Sequence, residues 1–405
     1  MPSSALRRSL PGWLVLMGAL TAIGPFSIDM YLPAFPAIAS NLGVSQGEVE
    51  RTLAAYLIGL ACSQIFYGPL ADRFGRRLPL MFGLALYVIA SIGCALAPSV
   101  EALTLWRVVQ ALGGAAGIVI PRAVIRDHYD TQQSARALSM LMLIMGLAPI
   151  LAPLIGGQLL WLTGWRGMFW LMMLIGIALL ACVLFIMKES LAPERVTPLR
   201  MGNILGNYAA LIRHRGFLAH SLAGGLGQAG MFAYIIGSPR VFMEIYGIAP
   251  QYYGFFFGAN ALALIVGSQV SARLLRHYVP QQLQRAAQTV LLLASLVALI
   301  IALSGAMTLP LLMICLMSYM ASQGFVNPNS AALALAEQGA RLGAASALLG
   351  TLQLSSGAIA GSIMSVWQAD SALPLTTVLA VCATLSWLAG RIARRDKLIF
   401  QGFSR

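Results

Sequence analysis

The sequence predicts an all-α membrane protein of twelve transmembrane helices in two six-helix halves, with both termini cytoplasmic. Three observations carry this. The 405 residues are 59% hydrophobic and only 10% charged, with mean hydropathy +0.80, where a soluble domain averages about 25% charged residues. The apolar runs are long and continuous, close to the ~20 residues a spanning helix needs, and unlike the short alternating segments of a transmembrane β-barrel. The 26 Lys and Arg fall almost wholly in loops on one side of those runs.

The first run, 12–37, contains Gly24-Pro25-Phe26-Ser27-Ile28-Asp29-Met30-Tyr31-Leu32-Pro33. Hydrocarbon cannot solvate a carboxylate, so Asp29 holds a proton more readily there than an exposed Asp would. Pro25 and Pro33 predict bends in the span. A buried acid on a bent helix with apolar walls reads as a proton site lining a cavity. The alternative is an Asp at a span end, facing headgroup water.

Further spans are expected at 50–71, 78–97, 101–124, 135–160 and 166–187, then a charged connector at 188–215. The second set is expected at 216–243, 252–273, 285–304, 307–335, 342–366 and 371–392. The chain thus divides into an N-terminal half, 1–187, a cytoplasmic linker, 188–215, and a C-terminal half, 216–405. Only Arg51, Arg166 and Arg240 lie in loops of the arginine-poor side, and Arg107 and Arg122 lie inside the fourth span; every other Lys and Arg is on the opposite side. The positive-inside rule places that side in the cytoplasm. It also accounts for the net charge of +13 without a nucleic-acid partner.

The five cysteines lie in apolar runs, without metal-ligand spacing or the pattern of a disulfide framework. Arg7 and Arg8 before Leu10 resemble the start of a signal peptide, read here as an uncleaved first span. The halves echo each other weakly. Ser63-Gln64 before Arg73 and Arg76 recurs as Ser268-Gln269 before Arg273 and Arg276; Pro33 with Gly43 recurs as Pro239 with Gly247. Repeated halves place a substrate site at their interface.

The loop after span two reads Gly68-Pro69-Leu70-Ala71-Asp72-Arg73-Phe74-Gly75-Arg76-Arg77. It resembles the loop signature of the major facilitator superfamily, G-x-L-A-D-R-x-G-R-R, at every defined position. Gly68 permits close helix approach and Gly75 a tight reversal. Asp72 is expected to cap span eleven near Gly343 as a conformational latch, with Arg73, Arg76 and Arg77 reaching toward Asp127; the plainer alternative is that the arginines only set topology. The second half has Ala272 where Asp72 would recur.

Span four, around Arg107-Val108-Val109-Gln110, is similar to the Arg-bearing fourth span of proton-coupled members. A buried Arg needs an acceptor or water; otherwise it snorkels to the surface. Span five, with Gly146, Pro149, Pro153, Gly156 and Gly157, resembles the fifth-span motif of antiporters in the superfamily. Its small residues suit close packing against the other half; glycine and proline are also common in any membrane helix.

More narrowly, Ser27-Ile28-Asp29-Met30-Tyr31-Leu32-Pro33-Ala34-Phe35-Pro36 and Arg126-Asp127-His128-Tyr129 resemble the Bcr/CflA-type drug-resistance transporters. The resemblance implies twelve spans in the superfamily's fold and proton-coupled efflux of small amphipathic antibiotics by alternating access across the bacterial inner membrane. It makes Asp29 the proton and cation site and Arg107 its coupling partner. Some related exporters carry a second acid about two turns earlier; Thr21 stands there, which argues against a strong preference for divalent cationic drugs. Tyr31, Tyr56, Gln110, Met145, Tyr234, Asn260 and Asn327 are pocket candidates, each with an alternative as interhelical hydrogen-bond glue. Met140 and Met142 extend the methionine run. No cofactor beyond the proton gradient, no metal and no enzymatic activity are expected, because no nucleophile elbow, zinc motif or phosphate loop is present. The partners expected are a drug, a proton and the lipid bilayer, around a monomer. Export of a sugar or amino acid is the rival reading.

Overall fold

The computed structural model describes residues 12–129, 131–195, 201–336 and 338–402, and all regular secondary structure among them is helical. Arg7, Arg8 and Leu10, Pro198 and Arg200 of the connector, and the side chains of Met140 and Met142 lie outside what is described. Large apolar side chains face outward around the molecule: Phe185 is 87% exposed and Trp161 70%. Water would oppose such a surface, whereas lipid accepts it.

The first span is broken. Helix α1, Gly12–Asp29, gives way to a 3-10 turn, Leu32–Ala34, and then α2, Phe35–Leu42. Pro25 lies within α1 without ending it; the break sits at Pro33 and Pro36, whose rings disfavour helix in the residue before them. A capping box of Ser45 and Glu48 starts α3, Gln46–Phe74, and Gly75 at φ +84° ends it, so this span runs beyond the expected 50–71 at both ends.

Then come α4, Arg77–Ala95; α5, Val100–His128, capped by Ser99; α6, Thr131–Thr163; and α7, Trp165–Phe185. The charged connector holds a helix of its own, α8, Met201–Arg213, whose Leu211 is buried. The remaining helices are α9, Arg215–Pro239, continued by a π-helical segment Arg240–Ile245; α10, Pro250–Leu274; α11, Pro280–Leu303; α12, Leu309–Leu335; α13, Leu342–Val366; and α14, Leu373–Gly402.

Eleven helical segments among the described residues are long and apolar enough to cross a membrane. The expected span at 216–243 is not one of them. Its helix, α9, is long enough but carries His220, Ser221, Gln228 and many glycines. It packs against α12, α13 and α14, so protein rather than lipid covers it and its composition need not be apolar.

Helices α1 to α7 pack chiefly on one another, as do α9 to α14. The two groups meet where α3 lies on α13 and α6 on α10. The internal echo has a geometric counterpart: Gly43 and Gly247 both take positive φ, +66° and +67°, each after a break that follows Pro33 or Pro239.

Contacts between helices rest on small residues. A Cβ on Gly113 of α5 would stand 2.5 Å from the Gly83 carbonyl oxygen and the Tyr87 nitrogen of α4. Both atoms are backbone and cannot turn aside. Gly68 differs from expectation: nothing lies within 4 Å of its Cβ position, so no helix approaches closely there. Gly113→Ala is therefore expected to destabilise the protein by about 1–3 kcal/mol, the usual cost of overpacking. Gly68→Ala should leave the thermal midpoint in detergent unchanged or slightly raised, and paired melting curves check both.

Candidate functional site

The helix α1 ends at Asp29, so the carbonyls of its last turn have no intrahelical donor. Arg107 on α5 takes one of them: its Nη2 donates to the Ser27 carbonyl oxygen at 2.9 Å. Its Nη1 donates to Gln110 Oε1 at 2.6 Å. The guanidinium is 0% exposed and lies over the rings of Tyr56 at 4.1 Å and Tyr31 at 4.7 Å. Gln110 is held in turn, donating to Ser91 Oγ at 2.8 Å. Tyr31 shares a hydrogen bond with Thr52 at 2.9 Å, and Ser27 Oγ one with Tyr87 at 2.7 Å.

Arg107 thus does not snorkel, and it does not pair with Asp29. No ion pair or hydrogen bond engages the Asp29 carboxyl among the described residues, although it is only 3% exposed. The cause is helical geometry. Two residues along a helix turn the side chain by about 200°, so Ser27 faces α4 and Asp29 points elsewhere, with Tyr234 of α9 and Tyr253 of α10 as its electrostatic neighbours. Tyr234 stacks on Phe257 at 5.5 Å, and its buried hydroxyl interacts with the Asn260 side chain.

The other pocket candidates separate into two sets. Tyr31, Tyr56 and Gln110 are 0% exposed inside the first helix group and support Arg107. Asn327 accepts from Gln353 at 2.9 Å, tying α12 to α13. Met145 is half-buried on α6. The α6 motif meets the other group as its small residues predict: a Cβ on Gly146 would lie 3.4 Å from Ile265, and one on Gly157 within 2.7 Å of the Pro250 carbonyl oxygen. Gly156 instead abuts the Met30 carbonyl beside Asp29. Pro149 and Pro153 lie within α6 without ending it.

At the arginine-rich end, Arg76 is clamped between two acids, Nη1 to Asp72 Oδ1 at 2.5 Å and Nε to Asp127 Oδ2 at 2.9 Å. Of the three arginines expected to reach Asp127, only Arg76 does. Arg73 is exposed, and Arg77 turns to the Leu184 carbonyl. Asp72 does not cap span eleven. It lines, together with Gly343 and Ala344 of α13, a cavity of about 300 Å³ that keeps the two apart, and it bonds Arg76 instead.

The carboxylate that caps a neighbouring helix is Glu189, which accepts from the N–H groups of Arg76 at 2.8 Å and Arg77 at 3.1 Å, and from those of Ser190 and Leu191. It closes the start of α4 and crowds Gly75, while Ser190 Oγ donates to Asp127 at 3.1 Å. The sequence signal for this was an acid directly after span six, within chain length of a basic reversal. It reads as one more linker charge until the fold brings the two together. Among the described residues no cluster of three or more His, Cys, Asp or Glu is arranged to hold a metal ion.

Residues 17–362 match the profile of the Major Facilitator Superfamily. The chain is 35% identical to YdgK of Bacillus subtilis, described as an uncharacterized MFS-type transporter, over 92% of this chain and 93% of that one. It is 30% identical to a bicyclomycin resistance protein homolog of Haemophilus influenzae, covering 93% and 94%. It is 31% identical to the multidrug resistance protein MdtL of Escherichia coli, covering 88% of each. Solved folds agree. A bacterial homolog of the lysosomal transporter Spinster, inward-facing and unoccupied, superposes with TM-score 0.69 at 16% identity over 95% and 96%. A D-xylose-proton symporter gives 0.70 at 15% identity over 94% and 97%. The chain belongs to the Major Facilitator Superfamily and is a multi-span membrane transporter.

Burial raises the affinity of Glu189 for a proton, but its four backbone donors outweigh that and hold its carboxyl below the ordinary range. A folded value below the unfolded one means stabilisation that is full above the unfolded value and lost as pH falls through the folded one. Glu189→Ala should cost about 1 kcal/mol at neutral pH, the usual loss for a cap. The gap between variant and wild type should close as pH falls below about 4, as read from thermal unfolding in detergent across pH.

Proposed function

We propose that this transporter is a proton-coupled antiporter exporting small amphipathic antibiotics across the bacterial inner membrane. The observation that carries the reading is Asp29: a carboxyl 3% exposed, free of any cation, at the broken end of α1 and beside aromatic side chains of the second helix group. Protonation removes a charge that its surroundings do not solvate. Ionised, Asp29 attracts a cationic or polar drug group to the same place, and the Tyr234–Phe257 stack offers an aromatic wall beside it. Proton and drug then favour different states, which is what exchange requires.

In this reading the fold has twelve spans, with α9 as the seventh, and both termini in the cytoplasm. Residues 1–187 and 216–405 form two halves that rock about the 188–215 linker. Arg107 acts on the proton site through the Ser27 carbonyl rather than through a salt bridge. Asp72, Arg76 and Asp127 form the latch at the cytoplasmic end. The protein works as a monomer, without cofactor or nucleic acid, and draws on the proton gradient. The names of the relatives from Haemophilus influenzae and Escherichia coli support drug efflux over export of a sugar or amino acid.

In proteoliposomes carrying an internal pH dye, adding a transported drug should move protons. Asp29→Asn should reduce that signal to the level of empty vesicles while the protein stays folded and inserted. Undiminished proton movement in the variant would refute the assignment. Arg107→Ala should leave drug binding detectable by equilibrium measurement and abolish exchange driven by an imposed pH gradient.

A further inference from the structure

A second buried acid lies at the arginine-poor end, and the mechanism above does not use it. Glu50 stands in the first turns of α3 and is 1% exposed. Its Oε2 accepts one long hydrogen bond, 3.4 Å, from Gln368 Nε2 beyond the end of α13; its Oε1 is buried with no partner. The seam is tight, since a Cβ on Gly47 would strike the Ser365 carbonyl oxygen.

The charged groups facing Glu50 are few. The π-helical segment after α9 supplies Arg240 and Glu244, and the loop before α14 supplies Asp370. Arg240 is directed at those two acids, with Nη2 3.5 Å from Asp370 and Nε 3.8 Å from Glu244. Gln46, with its amide oriented to satisfy both ends, donates to Glu244 and accepts from the Arg240 N–H at 3.0 Å. On α3 itself, Glu48 is taken by Ser45 and Arg51 is exposed. Three carboxylates therefore share one guanidinium. The side chains of Glu244 and Asp370 are 40% and fully exposed, so water screens them. Only Glu50 has neither water nor a cation to itself.

We propose that Glu50 is a second proton site of the transport cycle, separate from Asp29, and that a proton taken up there from the outside permits the two halves to close at the outer end. A carboxylate sealed in this seam, with its nearest guanidinium shared among three acids, opposes closure, and the neutral acid does not. The closed state then binds one proton more than the open state, so rising external pH favours opening. The inference rests on the reading of the arginine-poor end as outer and of the cycle as proton-coupled.

The test is a distance measurement that does not depend on transport. Spin labels are placed on Pro98→Cys and Ser371→Cys, exposed outer positions in the two halves, in a Cys62→Ala background and in lipid nanodiscs, from pH 5 to pH 9. Wild type should pass from a short to a long distance as pH rises. Glu50→Gln should hold the short distance throughout, and that defined distance itself reports a folded protein. Glu50→Asp, which keeps a carboxyl, should retain a pH-dependent opening. Asp29→Asn should retain it as well. A wild-type distance that ignores pH, or a Glu50→Gln protein with the wild-type midpoint, would overturn the proposal. Loss of the response in Asp29→Asn with its retention in Glu50→Gln would also overturn it, while leaving proton coupling at Asp29 standing. Normal proton exchange by Asp29→Asn together with a silent Glu50→Gln would do the reverse.

Discussion

A guanidinium sealed from water, with no carboxylate to meet it, is the constraint around which the first helix group is arranged. An isolated charge in such surroundings is costly, and Arg107 is accommodated only because several elements converge on it. The end of α1 at Asp29 releases the Ser27 carbonyl to accept from it. Gln110 accepts on the other side and is buttressed by Ser91. The faces of Tyr56 and Tyr31 add cation–π attraction, which is strongest when desolvated. Removing any one support exposes the same unpaired charge, so α1, α3, α4 and α5 are bound into one rigid unit.

Contacts between the groups follow different rules. Lipid gives helices no hydrophobic reason to associate, so contact depends on fit and on removing Cβ atoms from the crossing. Gly146 and Gly157 on α6 are answered by Gly254 and Gly258 on α10, the latter two packed against Leu154 and Ile150. Such a surface is close but carries few directional bonds, and two rigid bodies can shift across it without breaking an ion pair. The polar bonds of the first group fix its helices to one another, whereas the glycine stripe on α6 and α10 joins the two groups by fit alone.

Much of this was legible in the sequence because composition and charge placement report directly on lipid and topology. The break in span one, the reversal at Gly75 and the cross-group role of α6 all come from residues whose backbone preferences act locally. What was not legible depends on angular position and on contacts distant in sequence. Asp29 and Arg107 look like a natural pair by charge, yet the 200° between Ser27 and Asp29 sends the arginine to a backbone carbonyl. Asp72 looks like a cap for α13, yet Arg76, four residues on, is closer. Glu189 and Glu50 do not stand out in the sequence, because each sits in a polar boundary segment, where acids are ordinary. Their burial and their partners appear only when Arg76 and Gln368, distant in the sequence, are brought alongside. Helix α9 falls short of the apolarity of a lipid-facing span for a related reason: a helix walled by other helices need not be apolar.

In the proton-coupled cycle proposed above, the break in α1 is what would let a proton on one face be felt on the other. Asp29 and the Ser27 carbonyl belong to the same terminal turn, one facing the second group and one gripped by Arg107. In that cycle, a change in the charge of Asp29 that turned the terminal residues of α1 would strain the Ser27 carbonyl's hydrogen bond to Arg107. Because Gly156 abuts the Met30 carbonyl on the next residue, the same rotation would press on α6, the helix that meets α10. A straight helix would absorb such a torque along its length through successive backbone bonds. A helix that stops at Asp29, held by Arg107 behind and Gly156 beside it, would instead pass the torque to α6.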